Sequence, residues 1–370
     1  MKIAIDVSQM CYEGTGVARY TRELTQALLL SGSKHDFTLY AGALRQRSFF
    51  TDLSVTSPWD QANWKVLPFP PKLAGLILNS LPIPFELLTG PVNLIHTSDW
   101  SEPYSRLPMV TTVHDLVFRK YPKTLDPLIV STQQKRLARI CQDQTHIITD
   151  SLSTKNDLMQ IYNLPSSRIK VVYPGISSQY LPQSKQEIDR VKTKYKLPDQ
   201  FILSLGTQEP RKNLARLVEA TTGMDIPLII VGKYGWGIPN TPGVKGSHTP
   251  GVSVLGFIPD ADLPALYSAA TVFAFPSLYE GFGFPVLEAM ACGTPVVTSN
   301  VSSLPEVAGD AAILVDPLDV ATIRTGIKQA ISSRDKLVGL GLAQAKQFNW
   351  ERTAQQVLEV YDKVIENCKL

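Results

Sequence analysis

The feature that most restricts this chain is a repeated alternation. Short runs rich in apolar and β-branched residues recur along it, and most are followed by a segment with helical spacing. In the first half the runs are KIAIDVS (2–8), DFTLYAG (36–42), VNLIHTS (92–98), MVTTVHD (109–115) and HIITDS (146–151). Val17 to Leu30 and LIVSTQQKRLARICQ (128–142) carry the helical pattern between them. RIKVVYPGI (168–176) runs into the polar stretch YLPQSKQEIDR (180–190), and the alternation then restarts. FILSLGT (201–207), IPLIIVGK (226–233), VSVLGFI (252–258), TVFAFPS (271–277), TPVVTSN (294–300) and AAILVDP (311–317) follow. Most of these runs are apolar nearly throughout, as in strands of a parallel sheet covered by helices on both faces. Strand–helix alternation gives an α/β fold.

At 370 residues the chain exceeds one ordinary core, taking roughly 150 residues per domain. We therefore expect two doubly wound, Rossmann-like domains, at 1–172 and 173–348. Residues 349–370 should form a terminal helix packing back toward the first domain. No short-period repeat relates the halves, so only the architecture is duplicated. Ser57 to Pro91 is irregular and Pro-rich, and reads as a surface excursion.

Composition excludes several classes. A net charge of +3, without a long Lys/Arg run or an RNA-type aromatic motif, gives no reason to expect a nucleic-acid partner. Cys11, Cys141, Cys292 and Cys368 are scattered, which fits reduced thiols in the cytoplasm better than a disulfide scaffold or zinc site. The opening MKIAIDVSQM has too short an apolar stretch for a signal peptide. No uncharged apolar stretch reaches the ~18 residues a membrane span needs. No His/Cys/Asp cluster has metal-ligand spacing, so no metal is expected.

Open parallel sheets bind ligands beyond the carboxyl ends of their strands. Candidate residues should therefore follow strands, and four stretches do. EGFGFPVLE (280–288) sets Glu280 in a loop and Glu288 one turn into a helix that Pro285 can open. Gly281 and Gly283 allow close backbone approach, and a helix N-terminus suits a phosphate. The two acids could be a catalytic pair, metal ligands, a grip on a ligand, or only a loop and a helix start. GTQEPRKN (206–213) places Arg211 and Lys212 after a strand. Alone that pair is a solvated basic turn; beside the glycine loop it suits a diphosphate-sized anion. YEGTGVARY (12–20) holds only the beginning of G-x-G-x-x-G, and Asp36 opens its strand where a dinucleotide's ribose contact should close it. A nicotinamide cofactor is thus disfavoured. His114, in VHD, emerges at a strand's carboxyl end and reads as functional, whereas His96 is taken as structural. Asp260 and Asp262 in PDADL, and Asp316 and Asp319, read as helix caps and first-turn acids.

In this order the stretches resemble the family 4 retaining glycosyltransferases of the GT-B fold. GTGVARYTRELTQAL, HD, GTQEPRKNL, the E-x7-E loop, ACGTPVV and SSLPEVAGDAAILVDP all carry the likeness, which spans essentially the whole chain. EPRKNL and GTGVARY look most like bacterial mannosyltransferases. The resemblance implies two Rossmann-like domains facing a central cleft, an acceptor-binding first and a nucleotide-sugar-binding second. It implies that Arg211 and Lys212 hold the donor diphosphate, Glu280 accepts from sugar hydroxyls and Glu288 from the ribose. Phe282, Gly283 and Phe284 would support sugar and phosphate through the backbone. Gly281, Leu287 and Thr207 complete the donor contacts, Gly16 lets the first loop approach the ligand, and His114 contacts the transferred sugar. Many relatives carry an arginine just after the strand-ending glycine, in a loop one residue longer; here Thr207 follows Gly206, leaving Arg211 and Lys212 more of the charge.

The implied enzyme is a metal-independent hexosyltransferase using a sugar nucleotide, GDP-mannose by the resemblance, in polysaccharide biosynthesis. Its acceptor would be a glycan or lipid-linked sugar at the inner face of the membrane. The apolar segment 70–88, with Lys72 near its start, suits either a membrane surface or packing within the first domain. Alternatives are a UDP-glucose or UDP-GlcNAc transferase of the same fold, a GT-B phosphorylase or epimerase, and a non-catalytic sugar-nucleotide-binding subunit.

Overall fold

The computed structural model describes residues 1–12, 14–43, 45–68, 84–98, 102–143, 145–233, 235 and 250–368. The chain forms two compact units. The first comprises Met1–Phe118, Pro127–Gly175 and Asn349–Leu370; the second comprises Arg119–Asp126 and Ile176–Phe348.

The first unit is built on a seven-stranded parallel sheet. Its strands are β1 (Lys2–Asp6), β2 (Asp36–Gly42), β3 (Asn63–Leu67), β4 (Leu94–Ser98), β5 (Met109–Val113), β6 (His146–Thr149) and β7 (Ile169–Val171). They lie in the order β3-β2-β1-β4-β5-β6-β7, so the direction of winding reverses between β1 and β4. Ile3 faces Phe37 on one side and Leu94 on the other. Every residue of β4 and β5 is buried, which is why these runs are apolar or carry small hydroxyls, with His96 the exception. β3 corrects the reading of 57–91 as irregular. Among the described residues it pairs with β2 alone, at the sheet edge, and its residues are half-buried or exposed, so NWKVL lacks the continuous apolar signal of a central strand.

The terminal helix Trp350–Asn367 completes this unit. Asn349 caps it by accepting from the Arg352 N–H at 2.8 Å. The helix packs against Gly16–Leu30, with the Trp350 and Tyr20 rings edge-on at 5.7 Å. Thr353 donates to the Tyr173 carbonyl. His96 is structural: it is buried between Tyr361 Oη (2.6 Å) and Thr112 Oγ1 (2.9 Å), and burial pulls its imidazole down to about 3.

The second unit carries a six-stranded parallel sheet. Its strands are β8 (Ile202–Leu205), β9 (Leu228–Val231), β10 (Val252–Gly256), β11 (Val272–Phe275), β12 (Val296–Ser299) and β13 (Ala312–Val315). The order is β10-β9-β8-β11-β12-β13, with the reversal between β8 and β11. Successive residues of β11 feed different cores: Phe273 and Phe275 join Tyr267 and Phe282, while Val272 and Ala274 join Leu217 and Ile323. Arg119–Asp126 belongs to this unit through Tyr121, whose hydroxyl donates to the Leu278 carbonyl at 3.3 Å and whose ring lies 5.9 Å from Tyr279.

Asp319 caps its helix as expected, accepting from Ala321 N–H at 2.8 Å. Asp262 does not. It stands at an N-cap position but makes no cap hydrogen bond; instead it takes Arg190 (2.8 Å), Lys194 (2.6 Å) and the Tyr195 hydroxyl (2.6 Å). Three donors from the helix Lys185–Tyr195 outcompete the backbone for its carboxylate. Among the described residues no helix is long and apolar enough to cross a membrane. Of the 70–88 segment, residues through 83 lie outside the described ones.

Candidate active site

In the second unit, the segments leaving β8 and β11 converge where the sheet reverses. β8 runs into Gly206, then a single 3₁₀ turn at Pro210–Lys212. Asn213 ends that turn in the left-handed region and ties it down, its amide donating to the carbonyls of Pro276 and Pro317. Arg211 and Lys212 are thereby carried to Glu280. Glu280 Oε2 lies 2.7 Å from an Arg211 nitrogen, and Oε1 lies 2.7 Å from Lys212 Nζ. Arg211 also pairs with Glu209 and donates to the Tyr279 carbonyl at 2.6 Å. Lys212 Nζ sits 4.8 Å over the Phe275 ring.

Glu280 is 8% exposed. Burial alone pushes its carboxyl up, but the Arg211 and Lys212 charges outweigh that and hold it at about 2. Burial lowers the Lys212 ammonium, with the Glu280 charge opposing. The two cations and the carboxylates of Glu280 and Glu209 balance. This arrangement differs from the sequence picture of cations turned to an anion and acids turned to hydroxyls: here the two sets hold one another. The spare capacity is chemical. An ammonium has three donors, and a carboxylate accepts at about four sites.

The glycine loop is fixed by its neighbours. The Glu280 N–H donates to Ser302 Oγ at 3.0 Å, and the Ser303 hydroxyl lies 2.9 and 2.7 Å from the carbonyls of Glu280 and Phe282. Gly283 has φ 113°, a conformation that favours glycine, and precedes the helix Phe284–Ala291. Phe282 packs edge-on against Phe284 and Phe348. Leu287 is fully buried in the core, with its N–H directed to the Gly283 carbonyl at 3.4 Å. Glu288 is 1% exposed and accepts from the Tyr267 hydroxyl at 2.8 Å. Thr207 is exposed, two residues past β8.

Of the expected site residues, Gly16 and His114 belong to the first unit. Gly16 opens the helix Gly16–Leu30, which Thr15 caps by accepting from the Ala18 N–H. A side chain added at Gly16 would meet nothing within 4 Å among the described residues. His114 follows β5. Its Nδ1 lies 2.6 Å from Asp150 Oδ2, its Nε2 lies 3.1 Å from Ser98 Oγ, and the Tyr20 ring meets it edge-on at 4.7 Å.

Sequence reasoning did not single out Glu209, Ser98, Asp150, Ser302 or Ser303. Two of them were within reach: Ser98 ends β4 and Asp150 directly follows β6, so the strand-end rule that raised His114 applies to both. Ser302 and Ser303 act through backbone groups of a distant loop, and no local pattern marks that.

The architecture is that of known GT-B proteins. Sucrose-phosphate synthase from Thermosynechococcus elongatus superposes with a TM-score of 0.72 at 20% identity, covering 99% of this chain and 100% of that one. WaaG, a glycosyltransferase involved in lipopolysaccharide biosynthesis, gives 0.69 at 14% identity, with 97% and 99% coverage. At such identities the likeness concerns the fold alone. The sequence carries further. Residues 14–180 match the family described as Glycosyltransferase Family 4, and residues 185–347 match Glycosyl transferases group 1. O-antigen chain mannosyltransferase B of Escherichia coli is 35% identical over 98% of this chain and 99% of its own length. Serotype-specific mannosyltransferase WbdA of Escherichia coli is 31% identical over 70% of this chain, which is 34% of that larger protein. The chain belongs to the family 4 glycosyltransferases, and it is an enzyme that transfers a glycosyl group.

Proposed function

We propose that this glycosyltransferase moves mannose from GDP-mannose to a glycan or lipid-linked acceptor in polysaccharide biosynthesis. The transfer retains the anomeric configuration and uses no metal ion. The observation that carries the reading is the Arg211–Glu280–Lys212 cluster: a buried carboxylate, kept ionised by two cations, where the strand order reverses. Brought up to this cluster, the donor's diphosphate offers Arg211 and Lys212 a second anion. As they turn toward it, Glu280 gives up part of its ion pairing and accepts from sugar hydroxyls instead. The exchange keeps every charge paired, which matters because an unpaired buried charge costs about 3–5 kcal/mol. Charge developing on the leaving diphosphate then meets cations already in place. Cations supplied by the chain are the reason to expect no metal. Mannose, rather than another hexose, is supported by the names of the two Escherichia coli relatives.

The test is transfer from GDP-mannose in the presence of EDTA. Undiminished product is expected. Activity abolished by chelator and restored by metal would sink the metal-free reading, and turnover with UDP-glucose but not GDP-mannose would sink the donor. A lipid-linked acceptor places the reaction at the cytoplasmic face of the membrane, through contact that co-sedimentation with anionic vesicles would register. Absence of co-sedimentation counts against that contact.

A further inference from the structure

Three adjacent strands of the first unit end on polar side chains that meet. β4 ends on Ser98, β5 leads to His114 and β6 to Asp150. Asp150 is buried, and its second oxygen, Oδ1, has no hydrogen-bond partner among the described residues. An ionised carboxylate only accepts, so its 2.6 Å contact puts a proton on His114 Nδ1. In the neutral ring Nε2 is then a lone pair, and the Ser98 hydroxyl is the donor across the 3.1 Å contact. The ring plane is held by the edge of Tyr20 at 4.7 Å, and the His114 backbone by the Thr154 hydroxyl, which donates to its carbonyl at 3.2 Å.

The sense of this chain of hydrogen bonds has a consequence. Ser98 gives its one hydrogen to Nε2 and keeps its lone pairs, so it accepts from an outside hydroxyl. With the other tautomer Nε2 would donate, the Ser98 hydrogen would turn outward, and the same cluster would become a donor. Sugar hydroxyls can meet either, but only one sense fits a given pose. Which nitrogen of a histidine carries the proton is set by the bond the other one makes.

We propose that Asp150 is a positioning residue for glycosyl transfer. It holds His114 with its proton on Nδ1, so that Nε2 and Ser98 form a chain of acceptors for a hydroxyl of the sugar substrate. The proposal rests on the reading of His114 as a contact of the transferred sugar; no covalent step is added to the reaction.

Nitrogen-15 spectra of imidazole-labelled protein at pH 8, assigned by loss of the signal in His114→Gln, read the tautomer directly. The wild type should show a protonated Nδ1 and a lone-pair Nε2 at His114. Asp150→Asn keeps that state, because the amide oxygen still accepts; Asp150→Ala shifts the proton to Nε2. In transfer assays Asp150→Ala lowers kcat on the order of 10²-fold, the scale of lost alignment, with little change in donor KM, and Asp150→Asn recovers part of it. A wild-type His114 protonated on Nε2 overturns the proposal whether or not the variants fold. An Asp150→Ala enzyme with wild-type kcat does so too. The kcat ratio is read with whichever sugar nucleotide the wild type uses, so failure of GDP-mannose overturns the donor reading alone.

Discussion

Glu280 carries its charge in a place where burial favours the neutral acid, and the pH dependence of stability follows from the pair of cations that reverse this. Its carboxyl falls from the ordinary 4.5 to about 2 in the folded chain. A depressed folded pKa adds stability in full above 4.5, and that contribution is lost as pH falls through about 2. The shift corresponds to about 3 kcal/mol. The stability difference between wild type and Glu280→Gln, from urea unfolding, should therefore hold steady above pH 5 and shrink between 4.5 and 2. A difference flat to pH 2 would mean that Arg211 and Lys212 do not set this charge. The same variant should lose on the order of 10²-fold in kcat/KM, the scale of a lost charge-stabilising contact. Gly16 separates stability from activity in the other direction. An added methyl meets none of the described residues within 4 Å, and the position opens a helix, so Gly16→Ala should unfold at the same temperature or slightly higher. If the backbone there meets a ligand, the donor KM or kcat nonetheless worsens; unchanged kinetics would remove Gly16 from the site.

At the scale of elements, the loops leaving β8 and β9 touch through backbone. Gly232 has φ 140°, and a Cβ on it would stand 2.0 Å from the Gly206 carbonyl oxygen. The Gly206 N–H is meanwhile bonded to Val231 at 2.9 Å, and Gly232 to Gly256 at 2.8 Å. Gly232→Ala must push apart two loops, one of which carries Arg211 and Lys212. It should cost about 3 kcal/mol, at the upper end for a strained backbone position, and lower kcat/KM with it. A wild-type melting temperature would contradict the close approach. These elements also show where sequence suffices. Strands such as VFAF and LIIV, buried on both faces, announce themselves by unbroken apolar runs, and Asp36–Gly42 is the very stretch read from sequence. β3 does not, because an edge strand pairs on one side and tolerates Asn63 and Lys65. For the site, strand-end position led to Arg211, Lys212, Glu280 and His114. It did not reveal that Glu280 pairs with both cations, because sequence spacing carries no distance between residues so far apart in the chain. Nor did it show that Asp262 would leave its cap for Arg190 and Lys194, a choice made by side chains of a helix distant in sequence.

Across the whole molecule, neither unit is a continuous stretch of chain. The polypeptide passes between them after Phe118, Asp126, Gly175 and Phe348. The last passage returns the terminal helix to the first unit, where Trp350, Ala354, Val357 and Tyr361 are buried and the Tyr361 hydroxyl holds His96 at 2.6 Å. Gly175 fits against it so closely that a Cβ would lie 2.3 Å from the Trp350 nitrogen. Each large buried side chain is worth about 1.5–3 kcal/mol, and a domain's whole stability is about 5–15 kcal/mol. Removing the helix thus takes away most of the first unit's margin and also leaves His96 buried without one of its two partners. The second unit keeps its own closure, since the Ile176 N–H bonds the Phe348 carbonyl at 3.1 Å and both remain. A chain ending at Phe348 should therefore yield, under limited proteolysis, a resistant fragment beginning near Ile176, while residues 1–175 are digested. Equal resistance of both parts would show that the first unit's core stands without its last helix.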